Sequence, residues 1–204
     1  MSDASTSSVI TPRAWRSSAA HAFFWFVAAV TVILDLVTKA WAFKVLKPNE
    51  IVDIIPGLLQ FRIVNNPGAV FGFGAGLRWL FVGASVAAMI FILQLFSQCR
   101  PRQRAFQLFL ALVLGGALGN LYDRILYGKV RDFIFLTLNI SGKDIWPWIF
   151  NIADVALVVG VFGLLLGWQR RWFEIGGSLP VARPLSAEPC SNPCSCSPES
   201  HESK

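Results

Sequence analysis

The stretch Ala105-Phe-Gln-Leu-Phe-Leu-Ala-Leu-Val-Leu-Gly-Gly-Ala-Leu-Gly-Asn-Leu-Tyr-Asp-Arg124 decides the fold. Its apolar part, about 105–121, is long enough to cross a bilayer, which takes about 17 to 25 residues, and it ends at Tyr122-Asp123-Arg124. Gly115 and Gly119 are four apart, the spacing that lets a helix pack closely on a neighbour. Three similar runs surround it, at about 22–43, 79–96 and 148–168. Trp79, Trp148 and Trp168 stand at span ends, where amphipathic rings prefer the membrane interface. The fold class expected is therefore mainly α and integral to the membrane, with four transmembrane helices. Composition agrees: of 204 residues 54% are hydrophobic and 15% charged, against about 25% charged in a soluble domain.

Working outward, basic residues flank the spans. Arg13 and Arg16 precede the first, Arg100, Arg102 and Arg104 separate the second from the third, and Arg170 and Arg171 follow the fourth. Four spans put these three clusters on one side, which the positive-inside rule makes cytoplasmic. The net charge of +6 is thus explained without nucleic acid, for which no basic face or recognition motif exists. The other side receives two longer connections. In one, Leu59, Phe61 and Ile63 alternate with Gln60 and Arg62, and in the other Val130–Leu136 is also strand-like. A small extracytoplasmic β platform is expected there. Residues 1–20 read as a mobile cytoplasmic leader, 21–173 as the membrane domain, and the Pro-, Ser- and Cys-rich 174–204 as a disordered cytoplasmic tail. Cys99, Cys190, Cys194 and Cys196 suggest neither a disulfide nor a metal site, and no metal or cofactor is expected.

Polar side chains in apolar helices are costly and mark function or packing. Here they collect at the outer depth: Asp35, Thr38 and Lys39 in the first span, Asn120 and Asp123 in the third, Asn151 and Asp154 in the fourth. Asn120 and Asp123 are three apart and share a helix face, and Asn151 and Asp154 repeat that spacing. Two Asn-x-x-Asp faces on adjacent antiparallel helices can bring two carboxylates together. Such a pair cannot ionise twice cheaply, so one group acts as acid and the other as base, the arrangement for splitting a peptide bond with an activated water.

Other chemistries lack their residues. His21 and His201 lie at the inner start of the first span and in the tail, so no Ser-His or Cys-His pair forms at the outer face. Ser141 and Lys143 fall in a polar turn. Among the acids, Asp35 precedes Lys39 by four and is expected to pair with it. Asp132, beside Arg131, either orients the site or makes a loop ion pair. Asp123 has Arg124 as a possible partner, whereas Asp154 has no adjacent cation.

These residues resemble signal peptidase II, the bacterial prolipoprotein signal peptidase family. Asp35-Leu-Val-Thr-Lys39 is similar to its D-x-x-T-K, Asn66-Pro-Gly68-Ala69-Val-Phe71 to N-x-G-A-x-F, and Gly115 to Arg124 to G-G-x-x-G-N-x-x-D-R. Val130-Arg-Asp132-Phe133 resembles V-x-D-F, and Phe150-Asn151-Ile-Ala153-Asp154 resembles F-N-x-A-D. The resemblance implies an aspartyl endopeptidase with Asp123 and Asp154 as catalytic pair. It gives supporting or substrate-binding roles to Asp35, Lys39, Asn66, Gly68, Asn120, Arg124, Asp132, Asn151 and Ala153. It also implies a partner: a prolipoprotein whose cysteine carries diacylglycerol, cut just before that cysteine at the outer face of the bacterial inner membrane. Val70 is bulky where a smaller residue is common, which would narrow the pocket. A monomer in contact with membrane lipid is expected. A proton-coupled transporter would use the same acids as a relay, but the apolar inner halves of the spans disfavour a through-path. A non-catalytic assembly factor would tolerate loss of the acids.

Overall fold

The computed structural model describes residues 14–68, 77–137, 139–140, 143–144 and 148–169. Most of the expected leader and tail lies outside them, as do Val70, Ser141 and the three tail cysteines. Four α-helices form the body: α1 Ser18–Val45, α2 Arg78–Gln98, α3 Arg104–Tyr127 and α4 Ile152–Gln169. The first three are long and apolar enough to cross a bilayer, and α4 is a shorter apolar helix over Ile152–Gly167. Its 18 residues rise about 27 Å, close to the hydrocarbon thickness. Large side chains point outward all round the bundle, including Phe26 (68% exposed), Val158 (67%) and Leu165 (62%). A bilayer would cover such a surface.

The central helix is α3, packed against α1, α2 and α4. Glycines make this possible. A Cβ at Gly115 would strike Thr31 and the Ala28 carbonyl of α1, and one at Gly116 would strike the Ala153 carbonyl and Leu157 of α4. Toward the basic end, Phe24 stacks on Phe96 with ring centroids 4.1 Å apart, and Leu110, Ala111 and Leu114 complete that core.

At the opposite end sits an antiparallel sheet in the order β1-β2-β3-β6, with β1 Val52–Ile55, β2 Leu59–Asn66, β3 Val130–Leu136 and β6 Ile149–Phe150. The short strands β4 Asn139–Ile140 and β5 Lys143–Asp144 pair separately. Phe133 packs with Ala42 and Leu46, fastening the sheet to the end of α1.

Two boundaries differ from expectation, and both matter for the site. The third helix does not stop near Leu121. It continues to Tyr127 because Asp123 finds buried partners, and it ends at Gly128, whose φ of +73° closes the helix in the left-handed conformation. The fourth helix starts at Ile152 rather than near Trp148, because Ile149 and Phe150 pair with Phe135 and Ile134 as an edge strand. Asn151 therefore stands before the helix, not in its first turn.

Candidate active site

The platform end of the bundle gathers Asp35, Lys39, Asp123, Arg131, Asp132 and Asn151, all buried, with Asp154 half-buried at their edge. From α1, Lys39 Nζ lies 2.7 Å from Asp35 Oδ2, the pairing expected from their spacing. The same ammonium donates to Asn120 Oδ1 at 3.0 Å and lies 3.2 Å from Asp123 Oδ2 on α3. Asp35 Oδ1 accepts from the Ala153 N–H at 2.9 Å. A carboxylate of the first helix thus caps the start of the fourth, satisfying an N–H that has no partner within its own helix. Gly119 keeps the space open, since a Cβ there would run into the Asp35 carboxylate.

The entry to α4 is a reciprocal cap. The Asp154 N–H donates to Asn151 Oδ1 at 3.0 Å, and the Asn151 N–H donates to Asp154 Oδ2 at 3.2 Å. The second oxygen, Asp154 Oδ1, accepts from Asn120 Nδ2 at 2.8 Å. The two Asn-x-x-Asp repeats therefore differ. At 151–154 the spacing makes a cap. At 120–123 it makes a helix face whose asparagine serves Asp154 rather than its own Asp123.

Asp123 is turned the other way. Arg131 donates to its Oδ1 from Nε at 3.1 Å and from Nη2 at 2.7 Å, and the Arg131 backbone N–H reaches Oδ2 at 3.1 Å. With Lys39 on Oδ2 as well, both oxygens are bound to cations. No hydrogen bond joins Asp123 to Asp154 among those of the described residues; the partners of Asp123 are Lys39 and Arg131. An Asp123–Arg124 ion pair is not made either: Arg124 Nη2 donates to the Gly68 carbonyl at 3.3 Å and Nη1 to the Asn120 carbonyl at 3.5 Å.

The carboxyl coupled to Asp154 is that of Asp132. Asn151 Nδ2 donates to Asp132 Oδ1 at 2.6 Å, so one asparagine holds both acids. Asn66 Nδ2 donates to Asp132 Oδ2 at 3.1 Å, while Asn66 Oδ1 accepts from the Gly68 N–H at 3.0 Å. Burial pushes the Asp132 carboxyl up to about 7, and the nearby charge of Asp154 adds to the rise, against the lowering pull of Asn66, Asn151 and Lys39. The loop ion pair with Arg131 does not form, because neighbours on a strand point to opposite faces and Arg131 is taken by Asp123. The sequence alone leaves Asp132 open between an orienting role and a loop ion pair. Its framing by Val130 and Phe133 was the available sign of a buried acid. No group of three His, Cys, Asp or Glu side chains able to hold a metal ion occurs among the described residues.

An apolar helical bundle with buried acids gathered beneath a small sheet has the build of an integral membrane protein with a polar site at one end. The comparisons agree. The family profile for signal peptidase (SPase) II matches residues 27–169. The lipoprotein signal peptidase of Moorella thermoacetica is 39% identical over 146 residues, covering 72% of this chain and 91% of the relative. That of Clostridium novyi is 38% identical over 136 residues, 66% and 89% of the two chains. A solved structure described as a bacterial membrane enzyme, obtained by the in meso method at 2.3 Å, superposes with a TM-score of 0.66 at 32% identity, covering 73% of this chain and 88% of that one. This chain belongs to the signal peptidase II family and is a protease of a bacterial membrane.

Proposed function

We propose that the chain removes signal peptides from lipoprotein precursors by hydrolysing the peptide bond before a diacylglyceryl-modified cysteine, with Asp132 and Asp154 as the acid pair. The observation that carries the choice of pair is the shared Asn151: it bonds both acids, while Asp123 is neutralised by Lys39 and Arg131.

Asp154 is the more accessible of the two, and each of its oxygens already accepts one hydrogen bond. It is suited to take a proton from water. Asp132, with its carboxyl raised to about 7, can hold a proton near neutral pH. As the water oxygen adds to the scissile carbonyl, Asp154 takes the water's proton and Asp132 gives its own to the carbonyl oxygen. Collapse of the tetrahedral intermediate returns that proton to Asp132 and passes the one on Asp154 to the leaving amine. Arg124 and Gly68 lie beside the pair and would hold the substrate backbone.

Arg16, Arg100, Arg102 and Arg104, at the end of the bundle away from the sheet, argue for cytoplasmic termini and a site at the outer face. A diacylglyceryl cysteine, anchored by its chains, sits at that same interface. The test is cleavage of a lipidated precursor by the parent, Asp132→Asn, Asp154→Asn and Asp123→Asn proteins. Loss in the first two with turnover kept in the third supports this pair. Normal cleavage by either of the first two would rule it out.

A further inference from the structure

The buried cluster has a charge balance that one residue decides. Around the acid pair stand Asp35 and Lys39 from α1, Asp123 and Arg124 from α3, and, reaching the cluster through Asp123, Arg131 from β3, while β2 contributes the neutral Asn66. With Asp132 and Asp154 themselves, that makes four carboxylates against three cations. The cluster is neutral when it holds one proton, the count that an acid and base pair needs. Lys39 alone cannot satisfy both Asp35 and Asp123. Arg131 supplies the missing charge with a fork on Asp123, and its guanidinium lies 4.4 Å from the Tyr127 ring centroid, which fixes it further. It does so from the position that V-x-D-F leaves open, directly before Asp132.

We propose that Arg131 is a positioning residue that sets the proton count of the catalytic pair: by placing a second cation on Asp123 it lets the one ammonium of Lys39 serve Asp35, Asn120 and Asp123 together, so that Asp132 and Asp154 share a single proton at working pH. The inference rests on the reading of Asp132 and Asp154 as the pair. Without Arg131, four carboxylates face two cations, and the cluster takes up a second proton. The base is then blocked at a pH where the parent still works.

The experiment is the pH profile of kcat for a lipidated precursor peptide in detergent micelles. In Arg131→Gln the acidic limb moves to higher pH by about one to three units. In Arg131→Lys, which keeps the charge and loses the fork, the limb stays near the parent's. In the double variant Asp123→Asn with Arg131→Gln, three carboxylates face two cations, and the limb returns to the parent position. The double variant also covers the case in which Arg131→Gln alone does not accumulate, because it leaves no unpaired buried charge. A uniform fall in kcat at every pH, with the limbs unmoved in Arg131→Gln or the limb unrestored in the double variant, overturns the proposal. Asp132→Asn and Asp154→Asn are run alongside. If these are inactive while the Arg131 profiles are unmoved, only the role of Arg131 fails. If they are active, the pair itself fails.

Discussion

Lys39 Nζ lies 2.7 Å from Asp35 Oδ2 and 3.2 Å from Asp123 Oδ2, so a single buried ammonium joins the first helix to the third. Removing one member of a buried charged network leaves its partners uncompensated, at about 3–5 kcal/mol. Lys39→Met should therefore lower stability by an amount of that order, read as a fall in the unfolding midpoint in detergent. A midpoint equal to the parent's would mean that the network contributes nothing to the fold.

The acids should separate by function. Asp132→Asn and Asp154→Asn should each lower kcat by about a hundredfold or more, with the protein still recovered from the membrane. Asp123→Asn should keep measurable turnover, with its optimum at lower pH, because one carboxylate fewer lets the pair lose its proton sooner. Steady-state kinetics on a lipidated precursor across pH decides between them.

Stability should also follow pH through Asp132. Its folded carboxyl, raised to about 7, lies above the ordinary value of 3.8. A group raised on folding contributes stability that is complete below the unfolded value and lost as pH rises through the folded one. Asp132→Asn lacks this titration. The variant's unfolding midpoint, relative to the parent's, should therefore rise between about pH 4 and pH 8. A difference that is flat with pH would show that Asp132 does not titrate in that window.

Gly119 and Gly83 offer a paired test of packing. A Cβ at Gly119 meets the Asp35 carboxylate that caps α4, whereas one at Gly83 meets nothing within 4 Å. Gly119→Ala should cost about 1–3 kcal/mol and lower kcat, because Asp35 must leave the Ala153 N–H. Gly83→Ala should be neutral or slightly stabilising, since alanine is the better helix former. Equal midpoints for the two variants would remove the steric argument.

Much of this architecture is legible from local signals. The spans follow from apolar length, and Val130–Leu136 is the strand its composition suggests. Asp35 and Lys39 are found by a spacing that needs no tertiary knowledge. What is not legible is which acid meets Asp154. Asn120 and Asp123 look like a copy of Asn151 and Asp154, and local spacing cannot separate a helix face from a helix cap. The difference arises where β3 folds back against the end of α3 and delivers Arg131 to Asp123, a contact settled by chain reversal at Gly128. The helix boundaries fail for the same reason: partners supplied from distant segments let Asp123 stay helical and draw Ile149 and Phe150 into a sheet.

The start of α4 carries a consequence for supply of the reactant. The N–H groups of Ala153, Asp154 and Val155 go to Asp35 Oδ1, Asn151 Oδ1 and the Asn151 carbonyl. The Val155 bond is the first regular bond of the helix, whereas an uncapped helix end leaves the N–H groups of Ala153 and Asp154 to solvent. Here the protein furnishes its own acceptors, so a solvent molecule arriving at the Asp154 carboxylate is not held by those three amides and remains free to be consumed.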